Sequence, residues 1–252
     1  MPHLIESPQN PHFKRWRALL ESRGMKKQQQ FLLSGRKTVP EALVRYPERF
    51  QALLFCREEQ LADLSLPSEL ALYQLARPLF NELDVIGTNA PLLVGDLPEL
   101  VQADLTQPPQ GLELICSLGN PDNLGALLRS AAAFGVSRVI LTKEAAHPFH
   151  PRALRGGANA QFTLELAAAV GGQDLNTAAG PMVALDARGE PWSDFQWPKD
   201  VRLVLGEEGQ GLPEDLAARR LAIPMTDAVE SLNATVAASL ALSTYYERYR
   251  RR

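Results

Sequence analysis

Three short loops in the C-terminal half of the chain carry side chains whose types and spacing could act on a ligand. The first, Gly119-Asn120-Pro121-Asp122-Asn123-Leu124-Gly125, leads into an Ala/Leu-rich stretch with one arginine, Arg129. Asn123 can cap a helix that begins there. Arg129 follows within two helical turns, and helical side chains lean toward the N-terminus, so its guanidinium can point back at the loop. A lone arginine on such a helix can equally be a salt-bridged or snorkelling surface residue. The second loop is Leu205-Gly206-Glu207-Glu208-Gly209-Gln210-Gly211. Its glycines let the backbone turn tightly and approach a ligand, or serve a plain turn. The spacing is not GxGxxG and no Lys-Ser/Thr pair follows, so it carries neither the dinucleotide nor the P-loop signature. The third stretch runs from Ile223-Pro224-Met225 to Ser231-Leu232-Asn233. Pro224 stops a short strand, which exposes backbone amides and carbonyls beside apolar side chains, and Ser231 or Asn233 can cap the helix that follows.

The elements that must position these loops alternate. Strands are expected at Leu112–Leu118, Arg138–Thr142, Met182–Leu185 and Arg202–Leu205, with helices between them and a last helix from about Asn233 to Tyr249. That order predicts an α/β fold with a mostly parallel sheet, in which ligands sit beyond the C-terminal strand ends. The three loops fall there. The first hundred residues read as a smaller α/β domain, with helices over Pro11–Ser22, to about Arg45, and over Glu58–Leu64. Its strands are expected at Phe31–Leu33, Phe50–Cys56, Leu70–Leu75 and Pro91–Val94. The paired prolines of Leu105–Gly111 mark the linker, giving domains over 1–105 and 106–252.

Charge is unevenly spread. Residues 1–40 hold eight Lys/Arg against two acids, a balance of +6, whereas residues 41–110 balance to −7. Arg15, Arg17, Lys26, Lys27, Arg36 and Lys37 could meet phosphates although the whole chain carries −3; the alternative is a solvated helix face. Arg152, Arg155 and the arginines at 248 and 250–252 form a second basic set. No apolar run is long enough for a membrane span and the N-terminus lacks the core of a secretory signal, so a cytoplasmic protein is expected. Cys56 and Cys116 stand alone, which fits neither a metal site nor a disulfide framework.

Taken together, the loops resemble those of the SpoU/TrmH family of RNA 2′-O-methyltransferases. The matching residues are Asn123-x-Gly125-x-x-x-Arg129 with Ala131, Phe134 and Gly135; Gly206-x-Glu208-Gly209-x-Gly211; and Ile223-Pro224-Met225 with Ser231-Leu232-Asn233. The resemblance is strong over residues 112–250. Over the first hundred it rests on Phe31-Leu32-Leu33-Ser34-Gly35-Arg36, which is similar to the substrate-binding domain of the family's rRNA-modifying members. It implies a trefoil-knotted (SPOUT) methyltransferase domain preceded by an RNA-binding domain, a homodimer, S-adenosylmethionine as cofactor and no metal. Leu205, Gly206, Gly209, Gly211, Ile223, Met225 and Leu232 would hold the cofactor. Arg129, Asn123, Glu208, Ser231 and Asn233 would form the catalytic group, and Arg155 would join the RNA contacts. Two departures stand out: Gly157 and Asn159 occupy positions where the family usually has Ser and Gly, and Glu207 stands where Asn, Ser or Ala is common.

The implied reaction is methyl transfer to a ribose 2′-OH, with large-subunit rRNA favoured over tRNA. Arg129 is implied as the base that takes the 2′-OH proton. A guanidine with a pKa above about 12 is rarely neutral, so a phosphate clamp that also stabilises the developing alkoxide stays open as its role. Two rivals are an RNA-binding homologue without catalysis, set against the retained Arg129, Glu208 and Asn233, and a nucleotide-dependent oxidoreductase, set against the missing GxGxxG.

Overall fold

The computed structural model describes residues 2–168, 172–207, 209 and 211–249. The chain forms two compact units. One comprises the residues up to Glu99 together with His147–Phe162; the other comprises Leu100–Ala146 and the chain from Thr163 onward.

In chain order the elements of the first unit begin with β1 (His3–Ile5), α1 (Pro11–Ala18), α2 (Ser22–Gln28), β2 (Gln30–Leu33), α3 (Thr38–Arg45) and β3 (Phe50–Phe55). β4 (Ala71–Leu75), α4 (Arg77–Leu83) and β5 (Leu92–Asp96) follow. The second unit opens with β6 (Val101–Gln102), β7 (Leu112–Cys116), α5 (Pro121–Ala133) and β8 (Arg138–Leu141). The chain then gives α6 (Pro151–Gly157) to the first unit before β9 (Glu165–Ala168), β10 (Met182–Pro191), β11 (Val201–Leu205), β12 (Arg219–Ala222) and α7 (Ala234–Tyr249) complete the second.

The first unit is built on a mixed five-stranded sheet, ordered β1-β4-β3-β5-β2. β1 and β3 run parallel to β4, while β5 runs antiparallel to β2 and β3. The single helix expected over Pro11–Ser22 ends at Ala18, and a new one starts at Ser22. On one continuous helix Leu19 and Met25 would point about 120° apart; the break lets both bury completely. The helix expected over Glu58–Leu64 shrinks to one 3₁₀ turn, Glu58–Leu61.

The second unit carries a seven-stranded sheet, ordered β12-β10-β11-β7-β8-β9-β6, in which every pairing is parallel. α5 and α7 pack on one face, where Leu124, Leu127, Leu128, Ala238, Ala241 and Leu242 meet Leu114, Val139 and Leu203. The other face buries Ile115, Ile140, Ala184 and Val204 under Leu175 and Leu216. Covered on both sides, the central strands β7 and β11 are fully buried and read as near-continuous apolar runs. Two charges interrupt them. Glu113 and Arg202 face each other across the β7/β11 ladder and pair at 2.8 Å, at 5% and 1% side-chain exposure.

The same arginine corrects the expected linker. Arg202 donates to the carbonyls of Gln107 and Ala179, both at 2.6 Å, and Leu105 and Pro109 are buried. Leu105–Gly111 is thus pinned inside the second unit, and the division falls at Glu99/Leu100. The assignment of residues 147–162 changes too. Phe149 lies 5.1 Å from Phe31, and Phe162 lies 5.2 Å from Tyr46 and 5.9 Å from Phe50, so this segment completes the aromatic core of the first unit.

β10 reaches Pro191, well beyond the expected Leu185. Its pairing with β12 is interrupted: Leu221 is opposite both Leu185 and Glu190, which leaves residues 186–189 bulged out of the ladder. Cys56 and Cys116 are free thiols. Among the described residues no helix is long and apolar enough to cross a membrane.

Candidate functional site

α5 starts earlier than expected. Pro121, with its fixed φ, occupies the first turn, and the side chain of Asn120 accepts the backbone N–H groups of Asp122 and Asn123 at 2.8 and 3.3 Å. Asn120, not Asn123, is therefore the cap. Asn123 serves instead as a joint to α7: its side-chain oxygen accepts from Asn233 Nδ2 at 3.2 Å, and its carbonyl accepts from Thr235 Oγ1 at 2.9 Å. Of the two candidate caps of α7 the structure uses Asn233, whose Oδ1 accepts the N–H groups of Thr235 and Val236. One helical span further on, Ser239 Oγ donates to Ser130 Oγ at 2.7 Å. Arg129 precedes Ser130 on this tethered helix, is exposed, and makes no ion pair among the described residues. Glu208, implied as part of the catalytic group, lies outside the described residues, as do Gln210 and the arginines at 250–252.

Beyond the C-terminal ends of β10 and β11 lies a cavity of about 550 Å³, within the range of small-ligand sites, about 300–1,000 Å³. All seven cofactor candidates line it: Leu205, Gly206, Gly209 and Gly211 on one side, Ile223, Met225 and Leu232 on another. Ser231 and Asn233 also face it, whereas Asn123 and Arg129 are not among its lining residues. The glycine loop owes its shape to a close approach. Glu207 and Gly211 exchange two backbone hydrogen bonds, at 3.0 and 2.8 Å, and a Cβ on Gly206 would sit 2.5 Å from the Gly211 carbonyl carbon. Backbone lies on both sides of that contact, so a β-branched side chain must push the loop outward. Gly206→Val is expected to weaken binding of S-adenosylmethionine at least tenfold, about 1.4 kcal/mol, in a chain that still folds. Calorimetry on the folded variant checks this, and unchanged affinity would remove the loop from the cofactor site.

Sequence reasoning missed one wall. Leu185, Asp186, Ala187 and Arg188, at and after the end of the first part of β10, line the cavity. The rule that ligands gather beyond parallel strand ends applied to this strand as well, and was the signal available. Burial pushes the Asp186 carboxyl up, but hydrogen bonds from the Arg188 N–H and the Arg220 guanidinium, with the charge of both arginines, outweigh it and hold the pKa below the ordinary carboxylate value. No group of three or more His, Cys, Asp or Glu able to hold a metal occurs among the described residues.

The cationic candidates all fall in the first unit. Arg15 and Arg17 are on α1, Lys26 and Lys27 on α2, Arg36 and Lys37 just before α3, and Arg155 on α6; all seven are exposed. Arg17 pairs with Glu82 at 3.3 Å and Arg36 Nε donates to the Thr88 carbonyl, so these two are partly engaged. The two departures in this segment have local reasons. Asn159 takes up a left-handed φ of 69°, which asparagine tolerates, and its Nδ2 donates to the Thr38 carbonyl at 3.0 Å. At Gly157 a Cβ would meet the Gln161 amide at 2.2 Å, and the buried Gln161 bonds the carbonyls of Pro148 and Ala153. A larger residue at 157 would have to displace the Gln161 amide from these two bonds.

An all-parallel sheet with a mostly apolar, glycine-edged cavity beyond its strand ends places the chain among α/β proteins built like those that hold small ligands there. Its family is also defined. The model of the SpoU rRNA Methylase family matches residues 114–243, over half of the chain, and the chain belongs to that family. It is 39% identical over 239 residues to ribosomal RNA small subunit methyltransferase G 2 of Syntrophobacter fumaroxidans, covering 94% of this chain and 48% of that protein. The chain thus spans about half the length of that relative. It is 27% identical to the 23S rRNA (guanosine(2553)-2′-O)-methyltransferase RlmP of Bacillus subtilis, over 94% of this chain and 96% of the relative. A crystal structure of an RNA 2′-O ribose methyltransferase is similar with a TM-score of 0.76 at 26% identity, covering 98% of this chain and 99% of that one.

Proposed function

We propose that the chain transfers a methyl group from S-adenosylmethionine to a ribose 2′-OH of RNA, with rRNA as the substrate class. The observation that carries this reading is the single cavity that gathers Leu205, Gly206, Gly209, Gly211, Ile223, Met225 and Leu232. The donor set fits the cofactor. Apolar side chains suit the adenine faces, the backbone of the 223–225 stretch offers groups for its edge, and Asp186 and Glu207 supply negative charge for a cationic ligand. When bound, S-adenosylmethionine supplies an already activated methyl group on a sulfonium.

The residues of the chain then have two tasks. They align the 2′-oxygen with the methyl carbon and the sulfur, which can contribute roughly 7–11 kcal/mol of the barrier, and they handle the 2′-OH proton. The proton released from the ribose oxygen would pass to Arg129 or to solvent. Asn233, capping α7 and bonded to Asn123, links the cavity wall to the helix that carries Arg129. Arg129 either accepts the proton in a desolvated site or clamps the target phosphate and stabilises the alkoxide. The exposed cations of the first unit hold the RNA backbone. Both relatives named above are called rRNA methyltransferases, which supports rRNA over tRNA. Exposed Val236, Leu240 and Tyr246 on α7 give a second copy an apolar face to cover, in keeping with the homodimer and the knotted domain that the family resemblance implies.

The test is direct. Purified protein incubated with rRNA and S-adenosylmethionine labelled in its methyl group is expected to yield one labelled nucleotide whose 3′ linkage resists alkali. Label on a base or on tRNA alone, or a protein that binds no S-adenosylmethionine, would overturn the proposal.

A further inference from the structure

We propose that Arg220 and Asp186 form a positioning brace that fixes the spacing of two walls of the cofactor cavity and thereby sets cofactor affinity; the inference rests on the reading of that cavity as the S-adenosylmethionine site. One wall is the segment bulged from β10, beginning with Asp186. The other is the glycine loop, which leaves the cavity through Leu212 toward Pro213 and Glu214. A single guanidinium joins them. Arg220, on β12, donates from Nη1 to Asp186 Oδ2 at 2.5 Å, and from Nη2 to the carbonyls of Pro213 at 2.5 Å and Glu214 at 3.3 Å.

The geometry suits arginine alone. Its planar fork donates in two directions at once, which a lysine ammonium on a flexible stem does not reproduce. Asp186 is itself fixed, because its Oδ1 accepts the Arg188 N–H at 2.9 Å. Side-chain exposures of 23% for Arg220 and 11% for Asp186 take the pair out of the class of fully solvated surface bridges, whose contribution is small. Leu212 packs against the apolar core that holds Ala184, but no strand pairing ties the exit of the glycine loop to the bulge. β12 pairs with β10 at Leu185 and again at Glu190, and residues 186–189 fall in the gap. Without the guanidinium the polar tie between the loop exit and the bulge is lost, and a ligand gripped between them is held less firmly. Arg220 does not line the cavity, so it acts through the walls and is a positioning residue.

The experiment uses the full chain and compares Arg220→Gln, Arg220→Lys and Asp186→Asn. Calorimetry with S-adenosylmethionine is expected to show Kd raised at least tenfold in Arg220→Gln and less in the other two. In Arg220→Gln and Arg220→Lys, methyl transfer at saturating cofactor should stay within about threefold of the parent, so that KM for the cofactor moves and kcat does not. Amide hydrogen exchange at Leu212 and Glu214, measured without any ligand, should quicken in each variant. Folded Arg220→Gln with parental Kd and parental exchange would overturn the proposal. If Arg220→Gln does not fold, parental values in both Arg220→Lys and Asp186→Asn would do so. Should the parent bind no S-adenosylmethionine, the functional reading fails, while exchange at Leu212 and Glu214 still decides whether the brace exists.

Discussion

Arg129→Ala is expected to lower methyl transfer to RNA by about a hundredfold or more, the scale of a lost proton-transfer or charge-stabilising group, while S-adenosylmethionine binding stays within about twofold. The split follows from position. The cavity wall comes from β10, β11 and the loops, and Arg129 is not part of it. It sits instead on α5, which the Asn123–Asn233 and Ser130–Ser239 contacts lock to α7. Its loss therefore leaves the donor held and the acceptor unattended. The two roles separate in kinetics. A clamp loses affinity for RNA along with rate, so KM for RNA rises. A base loses rate alone, and the variant's rate climbs steeply with pH as hydroxide takes over the proton. Single-turnover methylation across a pH series reads both. A rate within threefold of the parent would remove Arg129 from the chemistry.

The second large effect is on stability. Arg202→Leu is expected to destabilise the fold by about 3–5 kcal/mol, the cost of breaking a buried ion pair from one side. Glu113 would be left at 5% exposure with Arg138, at 3.9 Å, as its nearest cation among the described residues. The carbonyls of Gln107 and Ala179 would each lose a donor bonded at 2.6 Å. Replacing both charges, as Glu113→Leu/Arg202→Leu, should recover part of the loss, because the desolvation cost disappears with the pair. Urea unfolding followed by circular dichroism measures both variants. Arg202→Leu within 1 kcal/mol of the parent would show the pair to be dispensable.

Much of this was legible in the residues. Periodicity located the central strands, since β7 and β11 lie between two covered faces and must be apolar. The three loops were legible because glycine, proline and asparagine have few reasons to occur in those combinations. What stayed hidden depends on contacts between distant residues. The bulge after Leu185 exists as a change of register against β12, and its one trace in the residues is Gly189, where a Cβ would meet the Arg220 backbone at 2.6 Å. Asn123 looked like a cap because asparagine caps helices; Pro121 moved the helix start and left the cap to Asn120. Nothing in the sequence marks Arg202, the first residue of an expected strand, as buried, and only its neighbours show why its charge is tolerated.

The path of the chain through His147–Phe162 bears on how the protein is made. A ribosome delivers the first hundred residues without Phe149 and Phe162, so the aromatic core around Phe31 and Phe50 stays unfinished while β7, α5 and β8 emerge. The N-terminal unit can close only after residue 162 has left the exit tunnel, by which time four elements of the next unit, β6 to β8 with α5, are already in solution. Synthesis and folding therefore run out of step here. No single cut yields either unit whole: a chain begun near residue 110 would carry Phe149 and Phe162 as an orphaned, sticky segment. Anyone wishing to isolate the cofactor-binding unit would have to excise 147–162 and bridge Ala146 to Thr163, a transplant instead of a truncation.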